Sequence, residues 1–295
     1  MSKPSVYDVV TERIIATLES GVIPWRKDWK VSASTGGGAM PFNMLTGKPY
    51  RGINVLTLLC SGYAGNGWVT YKQALEMGYQ VRRGEKSSPV VFWKFFPKSE
   101  DRPPFARYYS VFNIAQLDGV PDALPFTPEP FDGIASAQAV ADAYMVSASH
   151  PELAHGGPSA YYSPAHDRVQ MPAPQSFNSP EGYYCTLFHE FIHSTGIGAR
   201  LNRDEMKGVH KFGDCDYSKE ELTAEFGAAF LCAESGITND QILTNSAAYI
   251  QGWVSKLKSD KTLLMRAASL AQRASDYILA RPAFVEADTP DTATA

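Results

Sequence analysis

Two histidines four residues apart flank a glutamate in the stretch TLFHEFIHSTG, residues 186–196. On an α-helix such a spacing puts His189 and His193 on one face, so both imidazoles can aim at one point. Glu190 follows the first histidine at the edge of that face. This is the H-E-x-x-H arrangement of zinc hydrolases, with two ligands and a carboxylate placed to act as general base. Zn2+ is the expected metal, with Mn2+ or Co2+ as alternatives. The bland alternative is a helix that carries unrelated histidines. A working site needs a third protein ligand and an open fourth position. No third histidine follows six residues on, where the chain reads STGIGARLNRDE. The segment YSKEELTAEFGAAFLCAESG, 217–236, offers Glu220, Glu221, Glu225 and Glu234 instead. Ser218 and Glu221 fit the S-x-x-E pattern of a capping box, which would occupy the Glu221 carboxylate. Glu225 has no such local task, and a carboxylate among Ala224, Phe226, Ala228 and Phe230 needs a partner. Glu225 is therefore the expected third ligand, with Glu221 and then His210 as alternatives. His150, His155 and His166 read as loop or strand histidines.

The elements around the motif are legible in outline. Ser179-Pro180-Glu181 pairs a cap residue with proline at the first helical position, and Gly196 can end that helix. Further helices are expected over 134–149, from near Ser218 to Gly236, over 246–258 and over 261–280. SAYYSPAHDRVQMP, 159–172, reads as a strand pair whose edge could take an extended peptide. In the first half, Ser5 can cap a helix to Ser20, and Thr70 a short one to Gly78. YQVRRGEKSSPVVFWKFF, 79–96, reads as strand, basic turn and strand, and FARYYSVFNI, 105–114, alternates as another strand. The fold class is α+β in two domains. The first, small and α+β, covers 1–117. DGVPDALPFTPEPFD, 118–132, has four prolines and reads as a linker. A mostly helical domain with a small sheet covers 133–284, and 285–295 is expected to be a disordered tail. A chain of 295 residues can give each domain its own core.

Charge divides along the same line. Residues 1–115 hold 15 Lys+Arg against 8 Asp+Glu, a balance of +7, and the remainder carries −11. The basic half also holds four of the five tryptophans, interleaved with cations in PWRKDWK, TGKPYRGIN and VRRGEKSSPVVFWKFF. Cationic side chains follow a phosphodiester backbone, and aromatic faces stack on unpaired bases, so the mixture suits single-stranded nucleic acid. The candidate contacts are Trp25, Arg26, Lys27, Lys48, Arg51, Arg82, Arg83, Lys86 and Trp93. The competing reading makes the aromatics a core, and it is preferred for Trp68 and Phe92. Four scattered cysteines argue against a disulfide framework. No signal-peptide core and no bilayer-length apolar run is visible, so a cytoplasmic protein without a membrane partner is expected.

Five blocks add a family resemblance: ERIIATLESGVIPWRKDW, PFNMLTGKPYRGINVLTL, VTYKQALEMGYQVRRGEKSSPVVFWK, HEFIHSTGIGARLNR and EELTAEFGAAFLCAESGI. Together they resemble the ArdC antirestriction proteins of conjugative plasmids, and the N-terminal part is similar to a segment of plasmid-transferred primases. The resemblance implies a single-stranded-DNA-binding domain followed by a zincin-like metallopeptidase domain, in a protein that shields incoming plasmid DNA from restriction endonucleases. It places the ligand role on His189, His193 and a glutamate of EELTAE, and the base role on Glu190. It leaves open whether a host protein is cleaved as peptide substrate. The alternative reading is a DNA-associated metalloprotease that cleaves proteins on nucleic acid.

Overall fold

The structure, a computed structural model, describes residues 5–23, 40–63, 65–94, 105–120, 133–206, 215–237 and 247–282. Most of the linker expected over 118–132, and the expected tail, lie outside these residues. Ser5 starts the first helix, α1 (Val6–Glu19), by a reciprocal cap: its hydroxyl accepts from the Asp8 N–H, and its own N–H donates to the Asp8 carboxylate. A four-stranded sheet follows in the order β1 (Phe42–Asn43), β2 (Gly67–Thr70), β5 (Phe105–Asn113), β4 (Ser88–Lys94). Its long β4–β5 pair is antiparallel. Thr70 caps α3 (Tyr71–Glu76) as expected. The strand before the basic turn, β3 (Gln80–Val81), forms, but it pairs with β6 (Leu117–Asp118) rather than with β4.

The apolar run INVLTLL forms a helix that the sequence reading did not place, α2 (Ile53–Leu59), with every residue buried. Its Asn54 amide donates to the Val91 carbonyl at 2.7 Å and accepts from the Val91 N–H at 2.6 Å. A side-chain amide thus stands in for a fifth strand and closes the open edge at β4.

In the second half, α4 (Gly133–Met145) leads to a three-stranded sheet ordered β7 (Glu152–His155), β9 (Arg168–Met171), β8 (Tyr161–Ser163). β8 and β9 are the expected strand pair, and β7 adds a parallel partner. The motif helix α5 spans Pro180–Ser194, with Ser179 as its cap and Pro180 in its first turn. α6 (Cys215–Glu234), α7 (Ala247–Ser259) and α8 (Leu263–Ile278) complete the fold. From Leu222 to Ala233 every α6 side chain other than Gly227 is buried. A helix enclosed on all sides has no polar face, which explains why its sequence lacks a clear apolar stripe.

The halves share a core. Val10, Ile14 and Leu18 of α1 and Val55, Leu56 and Leu59 of α2 lie in one apolar cluster with Phe226 and Phe230 of α6, Trp253 of α7 and Leu264 of α8. Each half also keeps an apolar cluster of its own, Trp68, Val90 and Val111 in the first and Tyr144, Val169 and Phe188 in the second, and the shared cluster is added to these. Polar contacts pin the same seam: Arg51 pairs with buried Asp276, and the Gly52 N–H donates to Gln272 at 2.9 Å. No described helix is long and apolar enough to cross a membrane.

Leu18 is fully buried in this shared cluster. Leu18→Ala should cost about 2–5 kcal/mol of stability. Circular dichroism, weighted to the helical half, and tryptophan fluorescence, weighted to the first half, should report the loss in one coincident denaturant transition. Two separated transitions would contradict a common core.

Candidate metal centre

His189 and His193 project from the last two turns of α5, held by the buried neighbours Leu187, Phe188, Phe191 and Ile192. Their rings meet nearly edge to face, with centroids 4.7 Å apart, and the two Nε2 atoms lie 3.1 Å from each other. Across from them, Glu221 of α6 reaches His193 Nε2 at 3.5 Å and His189 Nε2 at 3.6 Å. These three groups are the one candidate metal cluster among the described residues. Two nitrogens and an oxygen bound at 2.0–2.1 Å in a tetrahedron would be about 3.3 Å apart. The two nitrogens stand near that spacing, each imidazole faces a different Glu221 oxygen, and one ligand atom from each residue lies within 4.8 Å of the others; the donor set is the N,N,O type of catalytic zinc sites. The residues therefore fit a divalent cation.

Glu225 does not join the cluster, and the expectation that it would is corrected. The reason lies at the start of α6. The helix begins at Cys215, so Ser218 sits inside it rather than at its cap, and nothing diverts Glu221 to a capping box. The orientation of α6 adds to this. It packs against α5 at Gly227, where a methyl group would lie 2.5 Å from Ile192. At 100° per residue, Glu225 is turned roughly 160° away from that contact line and Glu221 about 120°, with Glu221 one turn nearer the helix start. Glu190, next to His189, is 7 % exposed and has no hydrogen-bond partner among the described residues. His210 lies outside those residues. His150, His155 and His166 keep local tasks on Pro151, Tyr183 and Ser163.

Sequence reasoning missed the groups that steady the site. His193 Nδ1 meets Glu220 at 3.1 Å, and Arg203, 4 % exposed, donates to both Glu220 oxygens. Arg203 also donates to the Ile192 carbonyl at 2.8 Å and to the Thr195 hydroxyl at 2.6 Å, so it ties the end of α5 to α6. Gly196 makes this possible, since a methyl group there would lie 2.8 Å from the guanidinium. A carboxylate behind a ligating histidine fixes the ring and its tautomer. A second arginine, Arg200, binds Asp167 through two bonds of 2.9 Å and donates to the Ser194 carbonyl, fastening the β8–β9 turn to α5. The legible signal was the pair of arginines in GARLNR within a half whose charge is strongly negative.

Electrostatics follow from this packing. Burial disfavours a charged His193, but hydrogen bonds and charge from Glu220 and Glu221 outweigh it, and the pKa is raised to about 10. Burial also works against the two carboxylates, yet the histidines, and for Glu220 Arg203, hold both below the usual carboxylate range. The cluster is built to hold positive charge.

The basic half is less convergent. Trp25, Arg26 and Lys27 lie outside the described residues. Lys48 is exposed, as are Arg83 and Lys86. Arg51 is engaged by Asp276. Arg82 donates to the Leu117 and Ala115 carbonyls and to Glu85. Trp93 is half-buried against Tyr7 and the shared core. Trp68 is 1 % exposed, a core residue as expected.

Comparison with known proteins settles the family. Residues 4–112 match the N-terminal domain of the anti-restriction factor ArdC, and residues 139–270 match a zincin-like metallopeptidase domain. The antirestriction protein ArdC of plasmid R388, solved with Mn(II) bound, is 37% identical, with a TM-score of 0.72 over 94% of this chain and 98% of its own. The chain belongs to the ArdC antirestriction family. The metal-free structure of the R388 protein gives a TM-score of 0.70 at the same identity, over 93% of this chain and 96% of its own. Protein y4eC of Sinorhizobium fredii strain NBRC 101917 / NGR234, itself uncharacterized, is 37% identical over 94% of this chain and 92% of its own length. Two DNA primases TraC of Escherichia coli are 34% identical over 94% of this chain. The chain spans 20% and 27% of those primases' lengths.

Two outcomes follow for this site. Gly227→Ala should push α6 from Ile192, cost about 1–3 kcal/mol, and weaken metal binding by moving Glu221 from the histidines; calorimetric titration with Zn2+ beside a thermal melt reads both. The proton on His193 must leave before a cation takes its place. Below pH 10 metal binding should therefore release a proton, and apparent affinity should rise from pH 6 to pH 8. A pH-independent affinity would contradict the protonation of His193.

Proposed function

We propose that this protein protects transferred DNA by binding it single-stranded through the basic half, and that the helical half is a metal-dependent peptidase unit. The observation that carries the second part is the convergence of His189 Nε2, His193 Nε2 and Glu221 within ligand spacing. In this reading those three side chains hold a divalent cation, zinc by donor chemistry, and the Mn(II) bound to the R388 protein supports a divalent ion. When bound, such a cation supplies a Lewis acid and makes water acidic enough to lose a proton near neutral pH. Glu190, next to His189 in the sequence, would serve as the general base that holds a water proton and passes it to the leaving amine. Glu220 and Arg203 keep the His193 ring turned toward the site. β8 is an edge strand packed against α5, so an extended peptide of a host protein could pair along it.

Support for the first part is the +7 balance of residues 1–115 and the exposure of Lys48, Arg83 and Lys86. The aromatics interleaved with cations in this half favour unpaired strands, whose bases can stack, over duplex.

Metal analysis tests the site directly. The wild type and Glu225→Ala should each carry about one equivalent of metal, whereas His189→Ala and Glu221→Ala should lose it. Loss with Glu225→Ala alone would restore the original assignment. Glu190→Gln should keep the metal, abolish any peptidase activity and leave restriction protection of incoming DNA intact. Loss of protection with Glu190→Gln would make hydrolysis part of the antirestriction function.

A further inference from the structure

On the basic half, an open recess of about 480 Å³ lies between α3, the β3–β6 pair and the turn that follows β3. Its volume is within the range of about 300–1,000 Å³ common to small-ligand sites. Tyr71 and Phe112 form one side, with ring centroids 6.5 Å apart and planes at 68°, so they make a corner rather than a stack. Tyr71 is 49% exposed, and its hydroxyl accepts from the Gln80 amide at 3.3 Å. The ring is thereby held in place with much of its surface in solvent.

The polar side is divided by role. Arg82 is locked, because it donates to two backbone carbonyls and pairs with Glu85, which also accepts from Gln116 at 3.0 Å. Asp118 is approached by Arg82 only at 3.8 Å and is 64% exposed, so its acceptor oxygens remain available. Arg83 has no hydrogen-bond or ion-pair partner among the described residues and lies at the recess wall. A fixed aromatic face, an open carboxylate and a free guanidinium thus border one cavity.

We infer that this recess holds one nucleobase of a single DNA strand, stacked on Tyr71, with a base amine donated to Asp118 and the neighbouring phosphate on Arg83. The inference rests on the single-strand reading above and names where one base of that strand sits. Each group matches one part of a nucleotide. Aromatic rings stack on any base, carboxylates accept from exocyclic amines such as that of cytosine, and guanidinium pairs with phosphate. Thymine has no exocyclic amine, so Asp118 would discriminate against it.

Fluorescence anisotropy with the full-length protein, using oligo(dC) and oligo(dT) of equal length at low salt, tests this. The wild type should prefer oligo(dC) by at least about fivefold, and Asp118→Ala should bring oligo(dC) down to the oligo(dT) level. Tyr71→Ala should weaken both by at least about fivefold, and Tyr71→Phe should restore them. Arg83→Ala should flatten the salt dependence by about 0.7 in log–log slope. Leu75→Ala, equally exposed on α3 but outside the recess, should bind as the wild type does. Thermal melts confirm that each variant folds. If the Tyr71 and Asp118 variants bind both oligonucleotides unchanged, or Asp118→Ala tightens both equally, the recess is overturned and the single-strand reading stands. If the wild type binds neither, that reading falls and the recess with it.

Discussion

The contact of α5 with α6 at Ile192 and Gly227 sets the geometry of everything around it. The two imidazoles stand on one helix and the carboxylates on the other, so the distance between the helix axes determines whether three ligand atoms can share an ion. Glycine in a helix interior costs about 1 kcal/mol relative to alanine, and that cost is borne here because a methyl group would meet Ile192 at 2.5 Å. Arg203 fixes the same approach from the side, since it bonds the α5 carbonyl of Ile192 and the α6 carboxylate of Glu220 together. Close packing and a buried ionic link therefore act on one coordinate. Breaking either leaves Glu220 or Glu221 short of its charge partner, and a buried carboxylate without one is costly.

The same helix links this site to the other half. Glu220 and Glu221 occupy the early turns of α6, while Phe226 and Phe230, one and two turns later, pack in the cluster that contains α1 and α2. A displacement of α1 or α2 would press on α6 directly, and packed interiors transmit displacement rather than absorb it. The proline-rich segment is thus not the sole mechanical connection between the two halves. Arg51 lies on this seam, and its pairing with Asp276 explains why a cation in a basic loop should not be counted automatically as a phosphate contact.

What the sequence revealed and what it hid follow from the range of the interactions involved. The histidine pair, Glu190, and the caps at Ser5, Thr70 and Ser179 are local patterns spanning a few residues, and local geometry alone specifies them. Glu221 stood second to Glu225 because its role depended on where α6 begins, three residues before the serine that looked like its cap. α2 was invisible because a seven-residue apolar run has no polar face to reveal a period. Its place at the sheet edge depends on Asn54 meeting a strand 37 residues away. The shared core was hidden by the charge asymmetry and the prolines, which mark a boundary in composition but say nothing about which apolar faces meet across it.

That asymmetry acquires a structural meaning at the seam. Asp8 and Glu19 are acidic residues of the basic half, and they pair with Lys261 and Lys258, basic residues of the acidic half. At the junction two minority charges of each half are thereby neutralised. Exposed ion pairs of this kind add little to stability. Their consequence is the field: Asp8 and Glu19 are each offset by a lysine of the other half and oppose the positive balance of the first half less, and a positive field raises the local concentration of an anionic strand. The net negative charge of the second half opposes such a strand.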